Sequence, residues 1–71
     1  MPYDVVIWTM DAPAGKLEDT TQRADAFRAD VAATLPRDFK GPNGKRVGVL
    51  TAVRTLALPG GTVSVIGTVE L

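Results

Sequence analysis

Seventy-one residues with no cysteine and no histidine exclude a disulfide-stapled scaffold and the usual zinc sites. Eight basic residues balance eight acidic ones, which argues against non-specific nucleic-acid binding. A chain this short supports one domain, residues 1–71, with a core that is marginal without a partner.

Tyr3 to Met10, YDVVIWTM, predicts the first strand, because Val, Ile, Trp and Tyr favour a pleated, half-buried surface. Val5 and Ile7 lie on one parity and Val6, Trp8 and Met10 on the other, so both faces call for cover. Asp11 to Gly15 is a loop; it lacks the glycines and the Lys-Ser or Lys-Thr of a phosphate cradle. A helix is predicted from Asp19 to Leu35, with Asp19 as N-cap and Gln22 completing a capping box. Thr20, Ala24, Phe27, Val31 and Leu35 recur at helical spacing as the buried stripe, and Ala26, Ala29 and Ala33 form a flank shallow enough to approach a sheet. Pro36 stops the helix, because the residue before proline is pushed out of the α region.

Residues 36–46 read as a connection with an Asn43-Gly44 turn at its tip and Phe39 folding back onto the core. Lys40, Lys45 and Arg46 make this loop basic and able to touch a phosphate or an acidic partner. Arg46 to Leu71 is then a long hairpin. A three-residue turn, Pro59-Gly60-Gly61, places Leu58 opposite Thr62, Thr55 opposite Val65, Val53 opposite Gly67, Thr51 opposite Val69 and Val49 opposite Leu71. This register gathers the valines on one face and leaves Leu50, Leu56 and Ile66 on the other. The predicted fold is α+β: a three-stranded antiparallel sheet with one helix packed on one face, in the order β-α-β-β.

The common nucleophile–base pairs need histidine or cysteine, and neither is present. The start, Met1-Pro2-Tyr3, with strand, helix and strand following and a late Gly60-Gly61 pair, is similar to the tautomerase superfamily. That resemblance implies Pro2 as a catalytic base once Met1 is trimmed. The order strand, helix, long hairpin also resembles dodecin-like flavin-storage proteins, small-ligand-binding oligomers. Their flavin-stacking tryptophan lies on the second strand, whereas Trp8 lies on the first. The same order looks like the C-terminal part of ring-forming tail-terminator and tail-completion proteins of tailed phages.

The reading that follows is a non-enzymatic assembly or interaction subunit with no metal and no cofactor. It oligomerises, or joins a larger body such as a phage particle, through the sheet face away from the helix. Trp8, Leu50, Leu56 and Ile66 are the expected interface, since one helix covers one sheet face and a contiguous apolar patch marks a contact surface. Asp4, Asp11, Glu18 and Asp19 against the basic loop give a polarity suited to rings. No run reaches membrane-span length and the start has no apolar signal core, so the expected setting is the cytoplasm or an assembled particle.

Overall fold

A computed structural model describes residues 1–71. Strand β1 (Tyr3–Asp11) is followed by helix α1 (Leu17–Ala32) and strands β2 (Arg37–Lys40), β3 (Arg46–Ala57) and β4 (Thr62–Glu70). The strands form one antiparallel sheet in the order β1-β4-β3-β2. The α+β class stands, and the sheet has a fourth strand where the sequence predicts a connection. Strand β2 is Arg-Asp-Phe-Lys, too short and too charged for alternation to reveal it. It forms because the Asn43-Gly44 tip turns the chain back. Asn43 Oδ1 accepts the Lys45 amide at 3.1 Å, and Gly44 takes φ 78°. The Gly41 amide donates to the Lys45 carbonyl at 2.9 Å and closes the hairpin.

The β3–β4 hairpin keeps its predicted register next to the turn. The Leu58 amide donates to the Thr62 carbonyl at 2.8 Å, Thr55 faces Val65 and Val53 faces Gly67. Gly60 and Gly61 both take positive φ, 89° and 88°, which a side chain rarely tolerates. The ladder then slips between Leu50 and Ala52. Thr51 is an extra residue, so Leu50 rather than Thr51 faces Val69, and Val49 faces Glu70 rather than Leu71. This corrects the placement of Leu50. It lies on the helix side, 1% exposed, packed with Val31 and Val69. Gly67 makes room for it: a Cβ there would sit 2.6 Å from Leu50 Cδ1.

A second bulge corrects Trp8. The β1–β4 register shifts between Val6 and Trp8, leaving Ile7 as the extra residue. Beyond it Trp8 faces Val65 and Met10 faces Val63, whereas Val5 faces Gly67 before it. Directly opposed residues share a face, so Tyr3, Val5, Trp8 and Met10 all lie on the helix side. Ile7, Trp8 and Val53 pack on the cluster of Ala24, Val63 and Val65.

Helix α1 begins at Leu17, with Lys16 in the cap position and no side-chain cap, so Asp19 is not the N-cap. Asp19 and Glu18 instead lie in the first turn, where negative charge suits the helix dipole. The helix ends at Ala32, short of the predicted Leu35. There Thr34 Oγ1 donates to the Val31 carbonyl at 2.7 Å, and the Leu35–Pro36 peptide is cis. Thr20, Ala24 and Val31 are buried as the stripe requires. Ala26, Ala29 and Ala33 are exposed, so the close approach to the sheet is made by Ala24.

The helix lies chiefly over β3 and β4. Thr55 of β3 donates to Asp25 Oδ1 at 3.1 Å, which ties that flank of α1 to β3. Phe27 lies on the opposite flank by helical geometry, towards β1, and is 37% exposed. No helix is long and apolar enough to cross a membrane.

Candidate functional site

On the sheet face away from α1, β1 presents Asp4, Val6, Thr9 and Asp11; β4 presents Thr62, Ser64, Ile66 and Thr68; β3 presents Ala52, Arg54 and Leu56. The polar side chains in these rows are joined across the strands. Thr62 Oγ1 donates to Asp11 Oδ1 at 2.7 Å, and the Thr9 and Ser64 hydroxyls share a bond of 3.0 Å. Arg54 Nη2 reaches over the central strand to Asp4 Oδ2 at 3.0 Å, and Thr68 Oγ1 donates to the other carboxylate oxygen at 3.5 Å. Ile66 stands in the row between Val6 and Arg54 and is only 8% exposed.

The face proposed from sequence is therefore smaller and more polar than expected. Of the four predicted interface residues it holds Leu56 and Ile66, and only Leu56 is open to solvent. Val6, which the sequence reading did not single out, is the most exposed large apolar side chain in the rows, at 62%. The signal that could have found it is the change of face at Ile7, which leaves Val6 alone among the large apolar residues of β1 on this side.

The second apolar surface lies on the other side of β1. Tyr3 and Phe27 are exposed, and Val5, Ile7, Trp8 and Met10 are half-buried beside the uncovered flank of α1. These side chains border an edge strand of nine residues whose outer side has no sheet partner. The surface holds no enclosed cavity or cleft.

The basic residues form the far tip of the β2–β3 hairpin. Arg46 Nε donates to Asp38 Oδ1 at 3.1 Å, Lys40 lies opposite Arg46, and Lys45 is exposed in the turn. Asp11 pairs with Thr62 at the opposite end, beside the β3–β4 turn. Asp4, Asp38 and Glu70 lie at the same end of the sheet as the basic tip, so the acidic start expected from sequence is divided between the two ends of a molecule 39 Å long and 21 Å wide.

Pro2 is exposed immediately before β1, and the structure brings Arg54 to Asp4, two residues away. No cluster of carboxylates capable of holding a metal forms. The ionisable groups that are shifted belong to surface pairs. The Asp4 carboxyl is held below its ordinary range, first by the Arg54 hydrogen bond, against a smaller opposing effect of burial and with help from the Arg54 charge and Thr68. Asp25 is lowered in the same way by Arg28 and then by Thr55. No family model matches the chain, and neither a curated protein nor a solved structure matches it.

The Asp4 clamp has a pH signature. A carboxyl whose folded value lies below its unfolded value, about 3.9 for aspartate, stabilises the fold above that value and loses its contribution as pH falls through the lowered folded one. A carbon-detected NMR titration is expected to show Asp4 titrating below an ordinary aspartate, and Arg54→Met is expected to move it back up. An unchanged Asp4 curve in that variant would mean the clamp does not form in solution.

Proposed function

We propose that this chain is a non-enzymatic structural or interaction subunit, completed by self-association or by incorporation into a larger assembly. The observation that carries the reading is its surface. The chain exposes 4699 Å², whereas a folded monomer of 7.5 kDa exposes about 4,250 Å². Its radius of gyration is 13.0 Å against about 11 Å expected for this length. Only 11 of 71 residues are buried, and with no cysteine to staple it that core supports a monomer poorly.

The surplus of roughly 450 Å² is a little over half of one partner's share of a standard interface, about 800 Å². The apolar part of it runs round β1, from Tyr3 and Phe27 on the helix side to Val6 and Leu56 on the open face. Interface residues proposed from the open face alone are thus joined by the flank of β1. A phage-particle setting rests on element order only.

Light scattering at micromolar concentration tests the reading. A mass several times 7.5 kDa is expected, with Phe27→Asp and Leu56→Asp shifting the population towards monomer. A monomer indifferent to both substitutions would remove its basis.

A further inference from the structure

The sheet has two free edges of different character. The β1 edge is nine residues long and contains no Pro, Lys or Arg, the residues that commonly blunt an edge. The β2 edge is four residues long and carries Arg37 and Lys40. Two copies of β1 do not pair symmetrically along their length. A two-fold antiparallel ladder sets each residue against one of the same parity, and the Ile7 bulge places residues of the same parity on opposite faces across it. The β2 edge meets no such obstacle. Strand directions alternate through β1-β4-β3-β2, so a second copy continuing the sheet brings its β1 antiparallel to β2 with both helices on one face.

Charge and facing choose the register. Phe39 shares the helix side with Leu50 and Val5, and Asp38 and Lys40 lie on the open face. Registers that keep these faces aligned along β2 either oppose Asp38 to Asp4 or Asp11, set Lys40 against the bulged Ile7, set Lys40 against Val6 with Ile7 left outside the ladder, or set Lys40 against Asp4. The first two choices oppose like charges, and of the others only the last gives Lys40 an opposed carboxylate; it meets the irregular Ile7 at its end pair alone, with Arg37. The last sets Phe39 against Val5 and Asp38 against Val6, and offers the exposed Lys40 to a carboxylate that still has lone pairs to accept it.

We propose that β2 of one copy adds to the free edge of β1 in the next, with Lys40 opposite Asp4, so that copies join head to tail in one continuous antiparallel sheet. The proposal rests on the subunit reading above and specifies its contact. A head-to-tail contact of this kind closes into a ring or extends as a filament according to its rotation.

The cysteine-free chain makes the test direct. Val6→Cys with Asp38→Cys in one chain leaves Lys40 and Asp4 in place and sets two thiols on directly opposed residues, about 5.5 Å apart at Cα in a hydrogen-bonded antiparallel pair, within disulfide range. Mild oxidation is expected to give a ladder of covalent oligomers, whereas Thr9→Cys with Asp38→Cys, opposed only when β2 is displaced along β1 past Ile7, gives none. Val6→Pro caps the outer edge at a residue whose side chain is already exposed, and is expected to weaken association about tenfold or more. Should that variant fail to fold by circular dichroism, the crosslink alone decides. Wild-type oligomers that form no ladder and tolerate a folded Val6→Pro would overturn the edge contact and leave the subunit reading intact. A monomeric, uncrosslinked chain would overturn the edge contact and self-association together, and would leave only incorporation beside a different protein.

Discussion

Gly48→Ala is expected to destabilise the fold by about 3 kcal/mol or more, at or beyond the upper end of ordinary overpacking. Gly48 is buried on β3, and a Cβ there would lie 2.6 Å from the Glu70 carbonyl oxygen and 2.6 Å from Val69 Cγ1. The first of these neighbours is backbone, in the strand paired with β3, and it cannot rotate away. Relief requires β3 and β4 to separate where Val49 faces Glu70 and Leu50 faces Val69. A domain of this size has a total stability of roughly 4–10 kcal/mol, so the substitution removes a large share of it. Urea denaturation measures the effect. A midpoint equal to that of the unsubstituted chain would show that the two strands do not approach as described.

Leu50→Ala is expected to cost about 2–5 kcal/mol in the same measurement, the range for a large aliphatic side chain removed from a packed core. Leu50 is among the largest fully buried side chains and touches the helix through Val31. The alternative placement, on the open face, predicts a different result: unchanged stability of the monomer and weakened association only. The two readouts separate cleanly, because an exposed leucine leaves no cavity when truncated.

These two positions mark where the sequence was legible and where it was not. From Leu58 and Thr62 back to Val53 and Gly67 the hairpin follows simple alternation anchored on a glycine turn, and its register could be read directly. Beyond Ala52 the same alternation continues in the letters, Val47, Val49, Thr51 and Val53, while the backbone inserts an extra residue. Periodicity carries no mark of a bulge, so Leu50 was turned to the wrong face. Ile7 concealed the reversal at Trp8 in the same way. Strand β2 was hidden by its own charges, although the Asn43-Gly44 turn that makes it was visible. Helix existence and the roles of Thr20, Ala24 and Val31 were legible from spacing. Which sheet strands the helix covers was not, because an offset of one strand changes no periodicity. The exposed β1 flank, and hence the candidate interface, follows from that offset.

The extra residues have a meaning for how the chain can change in length. Thr51 stands outside the ladder, with its hydroxyl donating to the Thr68 carbonyl at 3.3 Å. Loss of its codon would straighten β3 and still leave Leu50 opposite Val69, facing the helix. At a residue within the regular ladder a single-codon deletion reverses every side chain beyond it and empties the core onto the surface. The bulge at Thr51 is therefore a place where the coding sequence can shorten by one triplet with the packing intact, a freedom that no count of conservative substitutions would reveal.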